Sequence, residues 1–364
     1  MTTEIRPVWD LATRLFHWLL AGTVGAALLI GYLAPAWWLG WHLAAGYLAG
    51  GLLILRLIWG WQGPEPSRFR SFWYPLSELG AHFQALWRRR PRHYLGHNPA
   101  GALMIFLLLG LLTALAGSGL MGLGGVEKQG PLAGWVPYAL GRQALNLHAW
   151  LADALTLAIG GHLAGVLLES LATGENLVRT MLDGRKRVPT GCPAPAPGHW
   201  RAALAILAGA GLLTGTSWWW LAQAPAIGVR PLALPALYRD ECGACHWPQH
   251  PSLLPAARWS QIMAGLDDHF GDSASLAPEP ARAISQFLTA NGAETWDTEA
   301  AHELAPNSLD PAGRMTEGAF WRRHHQALSD ADFARPPVGA KVNCPACHRD
   351  ADQGLFADQA IQIP

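Results

Sequence analysis

Two pentapeptides carry the most specific chemistry in this sequence: Cys242-Gly-Ala-Cys245-His246 and Cys344-Pro-Ala-Cys347-His348. In this arrangement two thiols add to the vinyl groups of a porphyrin and the adjacent imidazole coordinates its iron, giving a covalent c-type haem. A four-cysteine zinc site is the competing reading. It is weaker because each pair is followed by His, and because both motifs lie beyond the last apolar segment, in a compartment that the loop charges mark as oxidising. The fifth cysteine, Cys192, is left as a cytoplasmic thiol without a role, so there is no disulfide framework. Each iron keeps a sixth position, for which the sequence offers His250, His269, His302, His324, His325, Met263 and Met315. Spacing alone does not select two of them.

Four further histidines stand inside apolar stretches, where an ionisable residue is costly and by default functional. His17 lies early in the first stretch, His42 early in the second, and His148 and His162 both in the fourth. At about 100° and 1.5 Å per residue, His148 and His162 are roughly 40° apart around a helix and about 21 Å apart along it, on one face at two depths. The orientation given below pairs His42 with His148 near the outer surface and His17 with His162 near the inner one, as axial ligands of two b-type haems. Polar contacts between helices would explain one such histidine, but hardly four that pair by depth. Gly46, Gly50, Gly51, Gly160, Gly161 and Gly165 suit either a flat macrocycle or close helix packing. Arg14, Arg56 and Arg179 suit either haem propionates or lipid headgroups.

The elements that must hold these residues are legible in the composition. The chain has 364 residues, 51% hydrophobic and 14% charged, too apolar for an ordinary soluble protein and long enough for two domains. Five apolar stretches, at 14–34, 41–61, 99–121, 144–171 and 200–221, match the roughly 20 residues that cross a bilayer. Basic residues crowd the loop after the second stretch (Arg68, Arg70, Arg88 to Arg90, Arg92) and the segment after the fourth (Arg179, Arg185 to Arg187). The opposite loops offer only Lys128 and Arg142. By the positive-inside rule the N-terminus is cytoplasmic and the C-terminal domain periplasmic, in a bacterial inner membrane.

Residues 1–221 hold 16 Lys and Arg against 9 Asp and Glu, and residues 222–364 hold 10 against 17, which suits a basic-looped membrane domain and an acidic domain that docks a basic partner. That distribution does not suit nucleic acid, and nothing resembles a nucleotide site, a nucleophile with its base, or an open metal centre. The first apolar segment lacks a cleavage site and is expected to remain. Residues 189–198 read as a Pro-rich linker. Ala222-Gln223-Ala224 resembles a signal-peptidase site, but the chain is expected to stay whole. The expected architecture is all-α: a transmembrane cytochrome b domain over 1–190, a linker and fifth transmembrane helix over 191–225, and a mostly helical periplasmic domain over 226–364. Covalent porphyrins would supply much of that last domain's thin core.

Residues 5 to 190 resemble the prokaryotic cytochrome b561 group, which includes the b-type subunit of nickel-iron hydrogenases. The resemblance rests on Val8-Trp9-Asp10-Leu11, Thr13 to Trp18, Tyr94 to Gly101, and Glu175 through Lys186. It implies a four-helix bundle holding two b haems through His17, His42, His148 and His162 and exchanging electrons with membrane quinone. Residues 237 to 364 resemble the dihaem cytochrome c family, through Glu241 to His246, Ile262 to Gly271, Trp321 to His325 and Asn343 to His348. That resemblance implies two bis-histidine c haems, with His269 and His325 as distal ligands, although this chain also carries His324.

Together these imply a tetra-haem membrane protein passing electrons from quinol to a soluble periplasmic protein, such as a c-type haem protein. Alternatives are an electron-carrying subunit of a larger complex, delivering electrons inward to quinone, and a superoxide oxidase, for which the basic outer pocket is not evident. His93 or His97 could handle quinone protons, but a plain loop role is favoured for both.

Overall fold

The computed structural model describes residues 3–88, 92, 94–189, 200–223, 226–304 and 313–364. His93, Cys192, Arg89 to Pro91, the Pro-rich segment from 190 onward and Ala224 of the cleavage-like tripeptide lie outside the described residues. The chain divides into two compact units, one of Met1–Pro35, Leu39–Gly119 and Leu145–Gln223, the other of Ala36–Trp38, Leu120–Ala144 and Ala224–Pro364.

The first unit opens with β1 (Thr3–Pro7) and α1 (Leu11–Leu33), followed by α2 (Leu39–Gln62), the short α3 (Leu76–Trp87), α4 (Pro99–Gly125) and α5 (Tyr138–Thr173). A short α6 (Leu177–Asp183), β2 (Arg185–Pro189) and α7 (Trp200–Gln223) complete it. Among the described residues five helices are long and apolar enough to cross a membrane, one for each stretch expected from sequence. Their ends follow capping chemistry rather than hydropathy. Asp10 accepts the Thr13 N–H at 2.6 Å to start α1, and Asn98 accepts that of Gly101 at 2.7 Å to start α4. The helix expected over 144–171 runs from Tyr138 to Thr173, 36 residues or about 54 Å, well beyond the roughly 30 Å of a bilayer core.

Within this unit α1 packs on α2, and α7 packs on both. Val24, Leu115 and Leu155 form a buried apolar layer contributed by α1, α4 and α5. Leu155 lies midway along α5 between His148 and His162, so this layer separates the two depths at which the membrane histidines sit. A second cluster joins Ala12 of α1 to Ala203 and Ile206 of α7.

One element departs from the all-helical expectation. β1 and β2 pair antiparallel, Thr3 with Pro189 through Pro7 with Arg185. Between β1 and α1, Val8 and Trp9 both donate to the Gly184 carbonyl at 2.8 and 3.1 Å. Gly184 ends α6 at φ +75°, and a Cβ there would lie 2.5 Å from the Trp9 carbonyl oxygen, so glycine is required. Strands of five residues with partners 180 positions away leave no periodic trace in a sequence.

The second unit is built of short helices, α8 (Ala236–Cys242), α9 (Ala256–Ala264), α10 (Pro278–Ala290), α11 (Glu299–Glu303), α12 (Ala319–His324) and α13 (Asp330–Ala334). Its main core is small, Tyr238, Leu254, Trp259, Ile284 and Leu288, as its composition leads one to expect. The segment between α4 and α5 belongs to this unit and fastens to it by polar contacts. Lys128 pairs with Asp297 at 2.7 Å, the Tyr138 hydroxyl donates to Glu303 at 2.6 Å, and Glu127 accepts the Asp358 N–H at 3.0 Å.

Candidate functional site

Eight of the histidines singled out in the sequence come together as four pairs. His17 of α1 faces His162 of α5 with ring centres 6.4 Å apart, and His42 of α2 faces His148 of α5 at 6.1 Å. In the second unit His246 faces His269 at 6.1 Å, and His325 faces His348 at 6.1 Å. A metal–imidazole bond is about 2 Å long and the ring centre lies roughly 1 Å behind the ligating nitrogen, so two imidazoles on opposite sides of one ion have centres about 6 Å apart. All four separations meet that requirement. Among the described residues no group of three or more His, Cys, Asp or Glu is placed to hold a metal ion. Two facing imidazoles at each centre suit an iron whose remaining ligands come from a porphyrin.

Second partners orient the rings. The Nδ1 atoms of His42, His148, His246 and His325 lie 3.0, 3.0, 2.7 and 2.9 Å from the carbonyls of Ala27, Leu115, Trp247 and Trp321. Donation of Nδ1–H to a carbonyl leaves the Nε2 lone pair free for a metal. His42 and His148 use one local device. Each reaches the carbonyl of a residue four positions before a glycine, Ala27 before Gly31 on α1 and Leu115 before Gly119 on α4. A Cβ on Gly31 would lie 3.3 Å from His42 Cε1, and one on Gly119 would lie 3.2 Å from His148 Cε1. The missing side chain is what admits the ring. Sequence reasoning passed over both glycines; their signal is a lone glycine in an apolar helix whose neighbouring helix carries a histidine at the same depth.

Comparison with known proteins separates the same two regions. The family profile of prokaryotic cytochrome b561 matches residues 8–184, and that of dihaem cytochrome c matches residues 238–356. The chain joins a prokaryotic cytochrome b561 domain to a dihaem cytochrome c domain. It is a membrane electron-transfer cytochrome with haem as its cofactor. A probable Ni/Fe-hydrogenase B-type cytochrome subunit of Bradyrhizobium diazoefficiens is 24% identical over 213 residues, 50% of this chain and 85% of that protein. Its Azotobacter vinelandii counterpart is 26% identical over 215 residues, 49% of this chain and 86% of that one. A dihaem cytochrome c structure from Shewanella baltica is 33% identical, covering 36% of this chain and 95% of its own, with a TM-score of 0.28. One from Rhodobacter sphaeroides is also 33% identical, covering 35% and 100%, with a TM-score of 0.30.

In the b561 domain the residues around the His17 and His162 pair fit a haem with its propionates. Arg56 is buried, its guanidinium 4.8 Å from the Phe69 ring centre, and its Nη1 has no partner among the described residues. A buried cation with an open donor is the group a propionate would satisfy. Arg14 donates instead to the Leu182 carbonyl, leaving its buried Nε unpartnered, and Arg179 is exposed and pairs with Asp183 at 3.4 Å. Of the glycines expected beside the macrocycle, Gly46, Gly50, Gly160 and Gly165 face open space. Gly51 and Gly161 instead admit Leu213 of α7 and Met104 of α4. His97 is wedged between the rings of Trp9 and Phe72, at 4.6 and 4.8 Å. Burial, then the nearby Arg56 and Lys186 charges, hold its pKa down to about 3, which favours the neutral imidazole.

In the dihaem domain the other candidate ligands have other work. His250 is wholly buried and bonded to the Ser252 hydroxyl at 2.8 Å, and His302 stacks on Tyr138 with Nε2 3.2 Å from Asp297. Met263 and Met315 pack on the apolar clusters. His324 is exposed and lies on Phe320, ring centres 4.3 Å apart, so of the two adjacent histidines it is His325 that meets His348. A cavity lined by Cys344, Cys347, His348, His325, Phe320 and Phe333 adjoins that pair. Burial raises the Cys344 thiol to about 12 and Cys242 to about 11.

Proposed function

We propose that this protein passes electrons between the membrane quinone pool and a soluble redox protein in the periplasm through four haems. Two b haems are assigned to His17 with His162 and to His42 with His148. Two c haems are assigned to Cys242, Cys245, His246 and His269, and to Cys344, Cys347, His348 and His325. The observation that carries this reading is the set of four imidazole pairs, each at the spacing of two ligands on one ion. An iron with two imidazole ligands has no open position, so the bound haems would take and return single electrons rather than activate a substrate.

The polypeptide's part is position and environment. α5 gives one ligand to each membrane site, and the 14-position step from His148 to His162 sets the sites about 21 Å apart along the helix. The buried apolar layer of Val24, Leu115 and Leu155 packs midway between them. The β1–β2 ribbon ties the first residues to the basic segment Arg185 to Arg187 on one face of the membrane. That face is assigned to the cytoplasm of a bacterial inner membrane by its charge. The assignment gives a cytochrome b domain over 1–190, a linker and fifth span over 191–225, and a periplasmic domain over 226–364. The acidic excess of that last region suits a basic partner.

The hydrogenase-subunit relatives favour a second reading, in which electrons enter at the dihaem domain and run inward to quinone. Oxidation of superoxide is the weakest reading, because Lys128 and Arg142, the cations the sequence offers on that side, each lie against an acidic side chain, Lys128 on Asp297 at 2.7 Å and Arg142 on Glu299 at 3.5 Å. The deciding experiment is anaerobic mixing of the oxidised protein with a quinol, following the α bands of b and c haem separately. Reduction of b before c is expected. If quinol reduces neither and a reduced periplasmic protein fills c and then b, electrons run inward.

A further inference from the structure

One group of ionisable side chains is buried in the membrane unit without any part in holding haem. His82 of α3 is 1% exposed, and neither of its ring nitrogens has a hydrogen-bond partner among the described residues. Its Nε2 lies 3.7 Å from Oε2 of Glu169 on α5, whose side chain is 11% exposed. Tyr94 closes the group, with its ring centre 5.7 Å from that of His82 and its buried hydroxyl also unpartnered. Lys186 donates to the Tyr94 carbonyl at 2.8 Å and lies 3.4 Å from Glu175, one of whose buried carboxylate oxygens is unpartnered too. Buried polar atoms are nearly always satisfied within a fold, so several open ones at one spot mark a place where protons or ligands are exchanged.

The location gives the group its meaning. Glu169 follows His162 by seven residues, which on a helix is roughly 20° around and about 10 Å along. It therefore continues the stripe of α5 that carries His148 and His162, on the side toward Arg179 and Arg185 to Arg187. His82 and Glu169 thus stand between the His17/His162 centre and the basic face. Quinol oxidation releases two protons with its two electrons, and it needs a base beside the electron acceptor. A carboxylate 3.7 Å from an imidazole supplies a first acceptor and an onward carrier, since imidazole is the side chain able to take and return protons near neutral pH.

We propose that Glu169 and His82 are the proton-exchange pair of a quinone site at the basic face, beside His17 and His162. This rests on the quinone reading above and assigns its site. As each quinol O–H bond breaks, its proton passes to the Glu169 carboxylate, then to His82 and to water at the loop face. A b haem held by His17 and His162 would take the two electrons one at a time, handing the first on to the centre of His42 and His148 before taking the second, so that one quinol gives one quinone, two protons and two single-electron transfers. Quinone reduction runs the same path backward.

The test uses the full-length protein with its haems, as wild type, E169Q, E169D and H82Q. Each is mixed anaerobically with a water-soluble quinol across a pH series and in deuterated water, and b-haem reduction is followed. E169Q and H82Q are expected to be slower by about 100-fold or more, the usual contribution of a general base, and to lose the pH dependence and solvent isotope effect of the wild type. E169D should recover part of the rate. Dithionite should reduce the same amount of b haem in every variant, and the affinity for an oxidised quinone analogue should stay within about threefold in E169Q. Variants that keep wild-type rates and isotope effect overturn the proposal and leave the quinone reading standing. Loss of analogue binding in E169Q overturns it as well, by assigning the pair a structural role. A wild type that neither takes electrons from quinol nor, once reduced, gives them to quinone overturns both.

Discussion

In the membrane unit each imidazole pair is assembled by long helices whose regular rise sets the depth of every ligand. In the second unit one member of each pair follows directly on its cysteines, and the other comes from irregular chain. His269 ends a short 3₁₀ turn just before Phe270 at φ +60°, and His325 is the residue that caps α12. The spacing between rings comes out the same, 6.1–6.4 Å, but the supports differ. A b-type site depends on its two axial bonds and on helix packing. A c-type site has thioether links that persist when a ligand is lost, so its second ligand can come from a less regular scaffold.

The sharpest way to test that contrast is to delete one ligand of each kind. H148A and H162A are each expected to remove one b haem per chain outright, read as the b content of a pyridine haemochrome assay. H269A and H325A are expected to retain both covalent haems and to convert one from a six-coordinate to an exogenous-ligand-binding spectrum. Equal haem loss in both groups would erase the distinction.

A smaller effect probes how closely helix packing governs the membrane sites. Gly119→Val places methyl groups against the His148 ring, and overpacking of this kind costs about 1–3 kcal/mol. The expected result is a lower denaturant concentration for loss of the b haem assigned to His42 and His148. Gly22→Ala on α1, where a Cβ meets nothing within 4 Å, serves as the control and should change nothing.

The smallest effect is a pH dependence confined to the second unit. Burial, followed by the neighbouring Asp358 and Glu303 charges, raises Glu299 from 4.5 to about 7 despite Arg142. A carboxyl raised in the folded state contributes stability that is complete below its unfolded value and lost as pH rises through the folded one. The second domain should therefore lose roughly a few degrees of melting temperature between about pH 4.5 and 7. E299Q should flatten that slope. A slope unchanged in E299Q would place the titration elsewhere, in Asp358 or Glu127, both also raised by burial.

What could be read from the sequence follows the same division. The five spans and the depth pairing of His17, His42, His148 and His162 depend on periods of a few residues, and a single helix displays those periods directly. The two Cys-x-x-Cys-His motifs are local by construction. His269 and His325 came only through family resemblance, because nothing periodic links them to His246 and His348. Contacts between distant segments stayed hidden: the pairing of β1 with β2, the glycine notches at Gly31 and Gly119, the fastening of Glu127 and Lys128 to the second unit, and the meeting of His82 with Glu169. Each needs two positions that only the fold brings together, and each member alone reads as an ordinary helix or loop residue.

The β1–β2 ribbon has a consequence for how such a chain can be built. By pairing Thr3 with Pro189 it brings the first and last residues of the cytochrome b domain to within one strand of each other. A domain whose ends meet behaves as a nearly closed loop. It can be cut at another surface turn and rejoined across the ribbon, or spliced whole beside a second module, without redrawing its interior. The fusion seen here, with further chain continuing from the edge of the ribbon, is the kind of gene-level rearrangement that such closure permits.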